Sequence, residues 1–212
     1  MHVKTTNSDT NLDLELGLSL LDACENEDAE IVQALLSGGA DANAVDHNGY
    51  KPLHLACIYN EEEGVVQALL SGGADANAVD HNGYKPLHLA CIYNEKEGVV
   101  QALLSGGADV NAVDTEMATP LHLACMYEKE VIVQALLSGG ADVNAVDADG
   151  DTPLDLANQY ACGDRRISNL LKTFDHGAIT GEECTEKQDL NQEEHFNEDA
   201  PCTEDTAGDN ID

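Results

Sequence analysis

The 212-residue chain has no tryptophan, and aromatic residues make up only 4% of it. A single deep core built around large rings is therefore not expected, and thin layers of alanine, leucine and valine suit this composition better. Cations are also scarce, with nine lysines and arginines against 41 aspartates and glutamates, for a formal net charge of -32. Binding to a nucleic-acid backbone needs cations that displace counterions, so no nucleic-acid partner is expected. Anionic membrane surfaces are disfavoured on the same ground. A basic protein surface, or solubility alone, is what such a charge favours. No run approaches the roughly 18 apolar residues that a membrane span needs. The opening residues MHVKTTNSDTNLDLELG hold no basic segment leading into an apolar run, so no secretory signal peptide is expected.

What the chain does have is a repeat. Residues 46–79 read DHNGYKPLHLACIYNEEEGVVQALLSGGADANAV and return at 80–113, differing at Glu62 against Lys96 and Ala76 against Val110. A looser copy occupies 114–146, and partial copies flank the set. The anchor aspartates Asp46, Asp80, Asp114 and Asp147 lie 34, 34 and 33 residues apart. A fixed period of this size marks a solenoid, in which each unit touches its neighbours in the row. The expected organisation is a disordered segment at 1–11, an array at 12–175 and an acidic, disordered tail at 176–212. The units of the array are 12–45, 46–79, 80–113, 114–146 and 147–175. The tail holds 12 carboxylates against one lysine and has too few apolar residues to offset the entropy of ordering.

Within a unit the local signals follow one another in order. Asp46-His47-Asn48-Gly49 is turn chemistry, with Gly49 free to take positive φ. Pro52 opens a short helix, where its missing N–H costs nothing, and Leu53, Leu55 and Ala56 form the apolar stripe. A bend over 60–64 leads to a second helix with Val65, Val66, Leu69 and Leu70 inward, which Gly72-Gly73 ends. In the first unit Ser19 and Asp22 are expected to cap a helix start. Ile31, Val32, Leu35 and Leu36 share one face of the helix that follows. The second and third units carry one extra residue in the bend, where an insertion costs little.

Thr119-Pro120-Leu121-His122-Leu123-Ala124 and Gly140-Ala141-Asp142-Val143-Asn144-Ala145 resemble the ankyrin repeat, and the resemblance covers about 12–174. It implies an all-α repeat solenoid of helix-turn-helix units joined by β-turn or hairpin loops. The family further implies a non-enzymatic module that binds a protein on the concave groove between first helices and turns. Leu20-Leu21-Asp22-Ala23 is similar to an N-terminal cap. Thr152-Pro153-Leu154-Asp155-Leu156-Ala157 resembles a closing unit, with Asp155 in place of the repeat histidine. Arg165, Arg166, Ser168, Asn169 and Lys172 supply it with a polar outer face. Lys51 and Lys85 stand where the family pattern has threonine, which removes a capping hydroxyl from those two helices.

Several constellations compete for a functional reading. His54 and Cys57, His88 and Cys91, and His122 and Cys125 are zinc-capable pairs at i and i+3. Each offers two ligands only, and the family pattern gives that histidine a structural hydrogen bond, so neither metal nor cofactor is expected. Seven cysteines is an odd count, and Cys24, Cys57, Cys91 and Cys125 repeat on helices stacked about 8–10 Å apart. A disulfide needs Cβ atoms within about 4.5 Å, so these are expected to be buried free thiols. No nucleophile elbow, phosphate loop or HExxH helix is present, and an enzyme is not expected.

The tyrosines are less easily explained by structure. Tyr59, Tyr93, Tyr127 and Tyr160 recur at one position of the first helix, preceded in three units by Ile58, Ile92 and Met126. Tyr50 and Tyr84 follow the turn glycines. In the family these positions line the groove and the finger tips, so all nine residues are expected to contact a partner. The competing readings are half-buried packing or passive copying by duplication. The expectation is a monomeric cytoplasmic protein that binds another protein. The alternative is an exported effector of an intracellular bacterium, acting in a host cell with the tail as its export address.

Overall fold

The computed structural model describes residues 7–26, 28–59, 63–160 and 165–177. The expectations for residues 1–6, for most of the bend at 60–64 and for the tail beyond 177 lie outside them. Ten helices occur among the described residues, and no strand: α1 (Asn7–Glu25), α2 (Ala29–Ser37), α3 (Pro52–Tyr59), α4 (Glu63–Ser71), α5 (Pro86–Tyr93), α6 (Glu97–Ser105), α7 (Pro120–Met126), α8 (Glu130–Ser138), α9 (Pro153–Tyr160) and α10 (Arg166–Gly177). Odd-numbered helices pack on odd in the order α1, α3, α5, α7, α9, and even on even from α2 to α10. The result is the all-α repeat solenoid that the period implies.

The core follows the repeat in layers. Leu53, Ala56, Val66 and Leu69 of one unit are buried, as are Leu87, Ala90, Val100 and Leu103 of the next and Leu121, Ala124, Val133 and Leu136 of the one after. A helix pair alone would leave this face wet, and stacking is what removes it from water.

Three sets of polar contacts recur between the layers. Each anchor aspartate folds its own turn: Asp46 Oδ1 accepts from the N–H groups of Asn48 and Tyr50 at 2.8 and 2.7 Å, and Asp80 and Asp114 repeat the pattern. Each histidine then ties its helix start to the chain leading into the following turn. The Lys51 N–H donates to Nδ1 of His54 at 3.0 Å, which leaves the proton on Nε2 to be donated to the Ala78 carbonyl at 3.1 Å. His88 makes the same clamp to Ala112, whereas His122 reaches past the following turn to the Asp151 carbonyl at 3.1 Å. Finally, asparagine amides sew unit to unit. Asn77 Nδ2 donates to the Gly107 carbonyl at 2.9 Å while its Oδ1 accepts from the Asp109 N–H at 2.8 Å. Asn43 and Asn111 do likewise one unit before and after.

The glycine pairs divide their work. Gly73 holds φ at +90°, the left-handed stop. Gly72 instead leaves room for Leu36 of the preceding unit, whose Cδ1 would lie 2.8 Å from an added Cβ; Leu70 and Leu104 use Gly106 and Gly139 in the same way.

Some expectations are corrected. The first helix begins at Asn7 rather than at Ser19, so residues 7–11 are helical. Ser19 is no cap: its hydroxyl donates back to the Glu15 carbonyl at 2.9 Å, as mid-helix serines do. Ile31 is half exposed and leaves Val32 as the buried residue of α2. α4 starts at Glu63, inside the stretch read as bend. Ser168 is not on the outer face of the closing helix; it is buried, with its hydroxyl donating to Asn158 Oδ1 at 2.9 Å. Asp155 compensates for the missing histidine by accepting from the Thr152 hydroxyl and N–H at 2.6 and 3.0 Å, and those bonds hold its carboxyl below its ordinary pKa.

Candidate partner-binding face

The same position of α3, α5, α7 and α9 places one tyrosine per unit near the end of each first helix. Tyr59, Tyr93, Tyr127 and Tyr160 are 50%, 53%, 48% and 42% exposed. About half of each residue is therefore open to solvent and half is covered. Ile58, Ile92 and Met126, one residue earlier, are partly buried against the core and brace the row from behind.

Tyr50 and Tyr84 follow the turn glycines Gly49 and Gly83, and both are partly buried and packed against the core. Tyr50 lies tilted against the ring of His54 with centroids 6.2 Å apart, and Tyr84 against His88 at 6.1 Å. Each therefore rests on the clamp histidine of its own unit. Burial pushes the Tyr84 phenol above its ordinary pKa, with the charge of Asp114 next in importance and Tyr127 after it. The Tyr50 phenol is raised first by burial, then by Asp80, with Tyr93 and Tyr59 also in reach. A turn tyrosine of one unit thus stands within electrostatic reach of the helix tyrosine of the next.

Between turns and first helices, at the α7–α9 end, lies a cavity of about 220 Å³. The helix side supplies Met126, Tyr127, Gln159 and Tyr160, and the turn side supplies Asp114, Glu116, Asp147, Asp149 and Asp151. Tyr127 and Tyr160 thus border the same space as these turns.

The histidine–cysteine pairs offer no free ligand. Both ring nitrogens of His54, His88 and His122 are committed to main-chain groups. Cys24, Cys57, Cys91 and Cys125 are buried, and burial pushes the thiols of Cys24 and Cys125 up to about 12. A protonated, buried thiol is neither nucleophile nor metal ligand. Among the described residues, no group of three or more His, Cys, Asp or Glu side chains is placed to hold a metal ion. Nor is any helix among them long and apolar enough to cross a membrane.

Sequence reasoning passed over three features of this face. Val45, Val79, Val113 and Val146 form a second periodic exposed set just before the turns, at 41–57% exposure. Met117 takes the place of the turn glycine at φ 61° with its side chain 52% exposed. The turn carboxylates converge on the tyrosines. The valines were legible as a period-34 column in the repeat alignment. The convergence was not, because it joins residues of three units.

A family model described as "Ankyrin repeats (3 copies)" matches residues 20–114 and 94–179. Among curated proteins, the tyrosine-protein kinase HTK16 of Hydra vulgaris is 49% identical over 37 residues, which is 18% of this chain and 5% of that protein. The chain thus spans a small part of the length of this relative, and the likeness covers about one repeat. Taken with the paired helices, the clamp histidines and the glycine-ended second helices, the match over residues 20–179 shows that the chain belongs to the ankyrin-repeat family, whose units are generic protein–protein interaction modules.

Proposed function

We propose that the array binds a protein partner across the face bearing Tyr59, Tyr93, Tyr127 and Tyr160, without chemistry of its own. The observation that supports this reading is the exposure of four phenols in register, one per unit, on a braced row. Fully burying a large apolar side chain stabilises by about 1.5–3 kcal/mol, and here roughly half of that gain is left for a partner to realise. Tyrosines dominate interface energy because they are large, rigid and amphipathic. Ile58, Ile92 and Met126 widen the contact, and Tyr50 and Tyr84 back it from the turn side.

The test is a capture assay with the full chain. Tyr93→Ala together with Tyr127→Ala should abolish partner capture and leave the thermal midpoint within about 2 °C of the parent. A collapse of the midpoint would make these residues core, and unchanged capture would place the interface elsewhere.

A further inference from the structure

The position four residues after each anchor aspartate breaks its series in the fourth unit. Tyr50 and Tyr84 stand there in the second and third units, Ala118 in the fourth and Asp151 in the fifth. The backbone does not change with the residue. The N–H groups of Tyr50, Tyr84 and Ala118 donate to Oδ1 of Asp46, Asp80 and Asp114 at 2.7, 2.8 and 2.9 Å. What changes is the space in front of it, because Ala118 lines the cavity of about 220 Å³.

The surroundings of the two rings carry over along the repeat. The Tyr50 phenol lies within electrostatic reach of Asp80, Tyr93, Asp46 and Tyr59. Two units on, the same four positions are held by Asp147, Tyr160, Asp114 and Tyr127, and all four line the cavity. The Tyr84 phenol lies within reach of Asp114, Tyr127, Glu116 and Asp80. One unit on, these become Asp147, Tyr160, Asp149 and Asp114, and again every one lines it. The cavity therefore matches the seat that a phenol fills in both preceding units.

Size and lining agree with a ring. A cavity of about 150 Å³ accommodates benzene, so about 220 Å³ holds one phenol together with its oxygen. Leu123, Met126 and Leu156 supply apolar contact, and Tyr127 and Tyr160 offer aromatic partners. The turn carboxylates are acceptors, so the ring that suits them brings a donor. A phenol does so: burial first, and nearby aspartates next, raise the Tyr50 and Tyr84 phenols above their ordinary pKa and keep the proton on the oxygen. A phenylalanine ring fills the same space but gives the carboxylates nothing. An aliphatic side chain loses the ring contacts as well.

We infer that this cavity receives a tyrosine side chain of the protein partner, seated at Ala118 as Tyr50 and Tyr84 seat their own rings in the units before it. The site rests on the tyrosine-face reading given above. It fixes one point of the partner's register, at the α7–α9 end of the row.

Two measurements on the intact chain test this. Nα-acetyl-L-tyrosine N-methylamide is titrated in and followed by nuclear magnetic resonance, with the phenylalanine and leucine amides as comparators. Saturable shifts should localise to Ala118, Leu123, Met126 and Leu156. The tyrosine amide should bind about tenfold tighter than the phenylalanine amide, the worth of one hydrogen bond to a charged group. Ala118→Tyr restores the ring of the earlier units, so it should abolish those shifts and raise the thermal midpoint by about 2–4 °C. Shifts scattered over the surface, equal binding of the phenylalanine or leucine amide, or undiminished binding to Ala118→Tyr would overturn the site. So would a lower midpoint in Ala118→Tyr, because a ring that fits the cavity does not strain the fold. The two readings fail separately. If Tyr93→Ala with Tyr127→Ala abolishes capture while Ala118→Tyr captures as the parent does, the face stands and the tyrosine site falls. If the probe binds and Ala118→Tyr excludes it, but the tyrosine pair leaves capture intact, the face falls, and the assignment of the cavity to the partner falls with it.

Discussion

The side-chain amide of Asn94 donates to the main-chain carbonyl of Cys57 at 2.6 Å, 37 residues earlier in the chain. Cys57 lies in the last turn of α3, where carbonyls have no partner inside the helix. Asn94, the residue at which α5 ends, is 1% exposed and supplies the missing donor from the next unit. Asn94→Ala leaves that carbonyl buried and unpaired, which costs about 1–3 kcal/mol. The urea midpoint should fall accordingly with an unchanged slope. No change would mean that water reaches the carbonyl.

Acid should loosen the clamps. Burial is the largest influence on both His54 and His88 and holds their pKa values below the ordinary 6.5, outweighing the backbone acceptors and nearby aspartates that act the other way. The native state favours neutral imidazole, so below about pH 6.5 the unfolded chain binds more protons than the folded one. The contribution is complete above that pH and is lost as pH falls toward the folded values. Urea midpoints measured from pH 7.5 to 5.5 should decline. His54→Gln with His88→Gln should start lower and decline less, and parallel curves would refute the assignment.

Met117 is strained where its counterparts are not. Gly49, Gly83 and Gly150 hold φ of 84–87° at the same turn position, whereas Met117 holds 61° with a side chain. The left-handed region costs a side-chain-bearing residue roughly 1–2 kcal/mol, and glycine loses about 0.5–1 kcal/mol through the freedom of the unfolded chain. The first term is larger, so Met117→Gly should stabilise by about 0.5–1 kcal/mol in chemical denaturation. A loss of stability would show that the methionine side chain packs usefully.

The four described cysteines should resist alkylation. Burial raises all four thiols, to about 12 at Cys24 and Cys125. At pH 8, iodoacetamide followed by peptide mass spectrometry should leave Cys24, Cys57, Cys91 and Cys125 unmodified in the native protein. All four should be modified in concentrated urea. Labelling at Cys91 without urea would reveal local opening of the middle of the stack.

Much of this architecture was legible in the period of the chain. Pro52, Pro86, Pro120 and Pro153 open the first helices, and the glycine pairs close the second ones where the sequence placed them. Less legible was anything that depends on which unit touches which. Asn43, Asn77, Asn111 and Asn144 recur visibly, but a column of asparagines does not say that each reaches the glycine carbonyl or the carboxylate of the following unit. The ring contacts of Tyr50 and Tyr84 were hidden for the same reason, since adjacency to a turn glycine does not reveal the imidazole beneath. Ser19 misled because capping chemistry and mid-helix back-bonding use the same residue type.

The amide stitches have a bearing on how such a chain changes its length. Asn43 meets Gly73 and Asp75 just as Asn77 meets Gly107 and Asp109, donor for donor. Excision of residues 46–79 would bring Asn43 to Gly107 and Asp109, the same thread finding the same eyelet. Recombination between the two near-identical copies could therefore shorten or extend this protein by whole units, and every join would close as before.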